Sequence, residues 1–143
     1  MGVLSDITLR ITQPEDYQQI YFLLQIEDML PHQFSRERFS RMLERNTGHY
    51  LVAMQGGRVV GSIFSAHDGG YYGYVYKLVV RSRYRREGIG SALLARSLEA
   101  LRAAEIPWIH AHVKKDNVPS LALLKKFGLE QRVSHTLVDS YDE

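Results

Sequence analysis

The sequence predicts an α/β fold of the α+β type, a mixed central sheet with elements in the order β-α-α-β-β-β-α-β-α-β. Three observations carry that reading. In the middle of the chain, apolar and β-branched runs are separated by glycine-rich turns, the pattern of antiparallel strands joined by hairpins. Helix-entry residues recur with apolar positions at helical spacing behind them. After three consecutive strands come a helix and another strand, which gives one right-handed crossover and so one parallel pair.

In order, Ile7 to Ile11 alternates as a strand. Thr12-x-x-Glu15, with Pro14 between, reads as a capping box. Ile20, Leu23, Leu24 and Ile26 then form the buried stripe of a helix running to about Met29, before Pro31 breaks it. Ser35 caps a second helix with Phe39, Met42 and Leu43 facing in, ended by Asn46-Thr47-Gly48. Tyr50 to Met54 and Arg58 to Ala66 flank the turn Gln55-Gly56-Gly57, and Asp68-Gly69-Gly70 leads into a strand from Gly73 to Val80. Gly88 to Ala103 carries Leu93, Leu94, Leu98 and Leu101 on one helical face. Trp108 to Val113 is a strand, Asn117 caps a helix that Gly128 stops, and Val133 to Val138 is a last strand.

At 143 residues, 1–143 is expected to be a single domain with a core of its own. An apolar fraction of 45% and a charged fraction of 24% are those of an ordinary globular chain. The net charge is only +2, and four arginines fall between Arg81 and Arg86, so the basic character is local. That suits a small polyanionic ligand and speaks against nucleic acid, which asks for a basic stripe continuing elsewhere. With no cysteine there is neither a disulfide nor a thiolate nucleophile. The chain shows no secretory leader and no apolar run long enough to span a bilayer. The expectation is a cytoplasmic protein without membrane association, a monomer or homodimer.

The densest information lies after Tyr74-Val75-Tyr76-Lys77-Leu78-Val79-Val80. A basic loop, Arg81 to Gly90, ends in Gly88-Ile89-Gly90, and Ser91-Ala92-Leu93-Leu94 starts a helix. Glycines at a helix entrance leave backbone N–H groups unshielded. The first turn has donors without intrahelical partners, and the macrodipole adds positive potential there. Such a loop is shaped for an anion, most plausibly a diphosphate. It is not a nucleotide triphosphatase loop, which needs Gly-x4-Gly-Lys-Ser/Thr. It is not the dinucleotide fingerprint either, since Leu93 stands at the third glycine position.

What remains, Arg85-x-x-Gly88-x-Gly90 after a strand ending Leu78-Val79-Val80, resembles the acyl-CoA signature of the GNAT acetyltransferase superfamily, in its bacterial single-domain form. Asn117-x-x-Ser120-x-x-Leu123-Leu124-x-x-x-Gly128-Leu129 resembles that family's later helix. The resemblance implies the GNAT fold, with strands splayed around an acyl-CoA wedge. It implies acetyl-CoA as co-substrate, with its arm along Leu78, Val79 and Val80. The diphosphate would lie on N–H groups from Arg85 or Arg86 through Glu87, Gly88, Ile89 and Gly90, with Ser91 capping, and Asn117 and Ser120 would touch the arm. The implied activity is N-acetyl transfer to a primary amine of a small molecule or peptide, by direct attack in a ternary complex. The alternative is a non-catalytic acyl-CoA binding or sensing module of the same fold. The Val80 N–H would stabilise the thioester oxyanion.

The sequence departs from the family pattern in named places. Ser82 stands where proline is usual, Arg86 where glycine is usual, and Leu124 where a tyrosine acid is usual. Losing that acid matters modestly: a thiolate leaving group of pKa about 8.5 lies roughly 2 kcal/mol above its protonated form at pH 7. No base is evident. Tyr74 and Tyr76 are candidates for handling protons, although a phenol is a poor base at neutral pH. On a period of two, Tyr72, Tyr74, Tyr76, Leu78 and Val80 share a face. Each tyrosine is equally well read as a cross-strand packing residue. Glu27, Asp68 and Tyr72 are candidate acceptor-site residues, and Glu27, Asp28 and Asp68 candidate bases. His110 and His112 share a strand face and are further candidates for proton handling; the more ordinary reading is structural or surface residues, and lacking a third ligand they give no metal site.

Overall fold

The computed structural model describes residues 6–113 and 116–131. The chain divides into two compact units, Met1–His112 and Val113–Glu143. The first holds a five-stranded sheet in the order β1-β2-β3-β4-β5, formed by β1 (Ile7–Ile11), β2 (Tyr50–Gln55), β3 (Arg58–His67), β4 (Tyr72–Val80) and β5 (Trp108–Ala111). Neighbours are antiparallel through β4, and β5 runs parallel to β4. Three helices belong to this unit: α1 (Tyr17–Ile26), α2 (Arg36–Arg45) and α3 (Ile89–Ala103). The α+β class and the element order follow the sequence pattern, up to the last expected strand, Val133 to Val138, which lies outside the described residues.

Helices α1 and α2 cover one sheet face. Ile20, Leu23, Leu24 and Phe39 pack there with Tyr50, Val52, Met54, Val59, Phe64 and Val79. Helix α3 covers the other face, and two glycines let it approach closely. A Cβ on Gly61 would lie 3.2 Å from Leu93 Cδ1, and one on Gly73 would lie 3.1 Å from both Ile106 Cγ2 and Leu101 Cδ2.

Some boundaries differ from the sequence reading, each for a local reason. Thr12 is not the cap of α1: its N–H still pairs with the Tyr50 carbonyl at 2.8 Å, and its side chain is buried. The capping box is made one residue later, by Gln13 and Asp16, at the head of a short 3-10 turn, Pro14–Asp16, that precedes α1. The Asp16 carboxylate accepts the Gln13 N–H at 2.7 Å and both terminal nitrogens of Arg10 at 2.8 Å. Burial pushes the Asp16 carboxyl up, but the Arg10 and Gln13 hydrogen bonds outweigh it and hold it below the usual range. Helix α1 ends at Ile26, not Met29, where Asp28 takes a left-handed φ of 58°. Ser35 caps α2 as its position suggests, accepting the Arg38 N–H at 3.1 Å.

The second unit contains α4 (Val118–Lys126). Asn117 caps it by accepting the Ser120 N–H at 3.3 Å, and Gly128, at φ +91°, ends it. Among the described residues no helix is long and apolar enough to cross a membrane.

Candidate active site

The site begins where two paired strands stop pairing. β5 follows β4 only from Tyr72↔Trp108 to Val75↔Ala111. β4 continues to Val80, so its last stretch has a β5-facing edge with no strand against it among the described residues. An open edge here is what the acyl-CoA reading requires.

A bulge decides which backbone groups reach that edge. The β3–β4 register steps from Phe64↔Tyr76 to Ser62↔Val79, so Lys77 and Leu78 together oppose Ile63. Lys77 takes φ 55° to accommodate the extra residue. Beyond the bulge the Arg81 N–H donates to the Val60 carbonyl at 2.9 Å. Val80, paired with Gly61, therefore sits at a non-hydrogen-bonded position, and its own N–H and C=O turn away from β3 toward the open edge. The bulge also corrects the face reading. Partners across the ladder share a face, so Val79, not Leu78 or Val80, follows Tyr76 onto the side of Phe64.

After Val80 the chain makes a 3-10 turn, Ser82–Tyr84, and enters α3 through Gly88 at φ 88°. The Arg85 N–H is consumed by this turn, donating to the Ser82 carbonyl at 3.2 Å, so Arg85 offers no backbone donor to a phosphate. From Arg86 to Ser91 no backbone N–H has a protein acceptor among the described residues; the ladder resumes with Ala92 donating to Gly88 at 3.0 Å. Arg86 and Gly88 both have positive φ, and such alternation turns successive N–H groups toward one point. Ile89 is buried and Glu87 exposed, so each can serve the anion through its backbone alone. These open donors fit a diphosphate.

Glu27 is engaged by the protein itself. Its side chain is 7% exposed and accepts the Ser82 N–H at 3.1 Å, the Ser82 hydroxyl at 2.9 Å and a terminal nitrogen of Arg85. Arg85 in turn donates from Nε to the Val80 carbonyl at 3.2 Å. Glu27 thus braces the end of α1 against the loop and, through Arg85, holds the carbonyl side of Val80. Asp68 is likewise committed, its Oδ1 accepting the N–H groups of Gly70 (2.9 Å), Tyr71 (2.8 Å) and Tyr72 (3.0 Å). Those bonds hold its carboxyl below the usual range, which makes it a poor base. Sequence reasoning missed this brace, because Ser82 read only as a missing proline.

The tyrosines do share a face, and they form an exposed ribbon with β5. Tyr72 packs on Trp108 at 5.3 Å between ring centroids, and Tyr74 stacks on His110 at 5.4 Å and approaches His112 at 6.0 Å. Tyr76 packs edge-on to Phe64 at 5.1 Å, and burial pushes its phenol up, so it stays a proton donor at neutral pH. The sequence reading also passed over Lys77, a half-buried cation whose Nζ donates to the Met29 carbonyl at 3.3 Å. Its signal was a lysine inside an otherwise apolar and aromatic strand. Asn117 and Ser120 belong to the second unit, where they form the α4 cap. A depression of about 370 Å³ between the end of β1 and α2, lined by Thr12, Ser40 and Tyr50 among others, includes none of the β4-edge or loop residues. Among the described residues no group of acidic, histidine or cysteine side chains is arranged to hold a metal ion.

Comparison with known proteins bears directly on this geometry. The acetyltransferase (GNAT) family model matches residues 15–129. An acetyltransferase of Sodalis glossinidius (strain morsitans) is 31% identical over 131 residues, covering 91% of this chain and 92% of that protein. An acetyltransferase of Trypanosoma brucei superposes with a TM-score of 0.74 at 23% identity, over 94% of this chain and 100% of that one. An Arabidopsis thaliana protein solved with the bisubstrate analogue CoA-Ac-MVNAL superposes with a TM-score of 0.71 at 23% identity, over 86% and 82% of the two chains. With the open strand edge and the open loop donors in view, the chain belongs to the acetyltransferase (GNAT) family and by that membership is an N-acetyltransferase enzyme.

Proposed function

We propose that the protein uses acetyl-CoA to acetylate a primary amine by direct attack within a ternary complex. One observation carries the reading: the Val80 N–H faces the unpaired edge of β4, in line with a loop whose N–H groups from Arg86 to Ser91 have no protein acceptor. The loop donors hold the diphosphate, and the strand edge takes the arm. The Val80 N–H donates to the thioester oxygen as charge develops there, which lowers the barrier to attack. Without a cysteine the chain has no thiolate to carry an acyl intermediate, which supports transfer in one step. The family match from 15 to 129 supports one functional domain.

Proton handling narrows the acceptor. Deprotonating an alkylammonium of pKa about 10.4 at pH 7 costs roughly 4.6 kcal/mol, against about 1 for an α-amine of pKa near 7.8. With Glu27 and Asp68 committed elsewhere, the reading favours the less basic amine. In this reading Tyr76, protonated at neutral pH, is the group that donates to the departing sulfur, the role that Leu124 cannot fill.

Thiol release from acetyl-CoA, measured against amines, amino acids and peptide N-termini, tests this. Turnover above the uncatalysed rate is expected for at least one class. Gly90→Asp, which sets a carboxylate against the diphosphate, is expected to weaken acetyl-CoA binding by at least about tenfold, or 1.4 kcal/mol. Tight binding with no turnover on any acceptor would leave an acyl-CoA binding module instead.

A further inference from the structure

Of the carboxylates expected beside the acceptor, two are already engaged by the protein. Glu27 and Asp68 are both occupied by protein donors, whereas Asp28 is exposed. Lys77 stays behind as a cation. It lies on the bulge, three positions before Val80, with its ammonium against the Met29 carbonyl beyond the end of α1. Among the described residues no carboxylate comes within ion-pair distance of it. A half-buried ammonium with one neutral acceptor has lost water without gaining a counter-ion, so it binds a carboxylate with less further desolvation than an exposed lysine does. Three residues of strand span roughly 10 Å, a separation of the order of a lysine's reach plus a short acid-bearing amine.

Building on the acetyl-transfer reading above, we propose that Lys77 receives a carboxylate of the acceptor, so that the amine acetylated belongs to a small molecule of the amino-acid type. Farther back along β4 and β5, the exposed rings of Tyr72, Tyr74 and His110 form an aromatic surface for such a molecule's apolar part.

The test compares each acid with its own amide: L-phenylalanine against L-phenylalaninamide, and L-leucine against L-leucinamide. The amide has the less basic amine and is intrinsically the more reactive at neutral pH, so a preference for the acid has to come from the protein. The wild type is expected to favour the acids at least tenfold in kcat/KM. Lys77→Met is expected to bring the ratio to one or below, and Lys77→Arg to restore part of it, with acetyl-CoA affinity as the control for folding. Binding of N-acetyl-L-phenylalanine and its amide to the CoA-bound protein, followed by NMR, gives a readout independent of turnover. Turnover without acid preference, or acid binding unchanged in Lys77→Met, overturns the carboxylate site and leaves acetyl transfer standing. Lys77-dependent binding of the acid with no turnover on any amine overturns acetyl transfer and leaves the carboxylate site standing.

Discussion

The Glu27 carboxylate joins segments 55 residues apart through Ser82, and it does so with a bond that proline could not make. A proline at 82 would preset φ but remove the N–H; serine gives up some loop rigidity and supplies two donors to a nearly buried acid. Ser82→Pro is therefore expected to destabilise the fold by about 1–3 kcal/mol, since it strips both donors from a carboxylate that keeps only Arg85. Urea unfolding measures this, and a stability equal to wild type would remove the brace from the account. Arg86 is the opposite case, a residue whose cost is visible. Its φ of 65° explains why glycine suits the position. Relief of left-handed strain is worth about 1–2 kcal/mol, and glycine's greater unfolded freedom takes back about 0.4–1, so Arg86→Gly is expected to stabilise by up to about 1.6 kcal/mol. Denaturant midpoints of the two proteins decide the sign.

At the scale of elements, the fold was legible because each strand and helix announces its ends locally. Gln55-Gly56-Gly57 fixes a hairpin, Ser35 a cap, and Gly88 a helix entrance, and all three appear at those residues. The loop donors were legible for the same reason, since a helix start exposes N–H groups whatever packs around it. What stayed hidden were partnerships across long separations. Neither the bulge at Lys77 nor the commitment of Glu27 to Ser82 and Arg85 leaves a mark in local spacing. The period-two reading of β4 failed at Leu78 because one extra residue exchanges the faces beyond it. Close packing of α3 on the sheet is a further long-range feature, and it makes a prediction. Gly73→Ala puts a methyl group 3.1 Å from Ile106 and Leu101, both buried, where neither can withdraw. Overpacking of this kind is expected to cost about 1–3 kcal/mol, seen as a lower melting temperature. Gly57→Ala, with open space around it, is the control and is expected to be nearly neutral.

Over the whole molecule, the acidic limit of stability is set by how many groups the fold keeps from protonating. His49 is buried between β2 and β3, its Nδ1 is 3.0 Å from the Ser65 hydroxyl, and its ring lies 4.9 Å from that of His67. Burial, and then the nearby charge of His67, push the His49 imidazole below its ordinary value of 6.5. The unfolded chain therefore binds a proton at this residue at a higher pH than the folded one does. Stability rises with pH wherever the unfolded state holds more protons, so this contribution is complete above the ordinary value and is lost as pH falls through it toward the folded value. Asp16 acts in the same direction but lower, since its ordinary value is 3.8, and it does not enter the window between about pH 7 and about pH 5.5. The melting temperature is thus expected to fall across that window in the wild type. In His49→Asn, which keeps a polar partner for Ser65 but has no titrating ring, the fall should be clearly shallower. The slope, not the absolute melting temperature, is the readout, because losing the imidazole's packing lowers both ends alike. Equal slopes in the two proteins would mean that the acid sensitivity resides outside the β2–β3 pair.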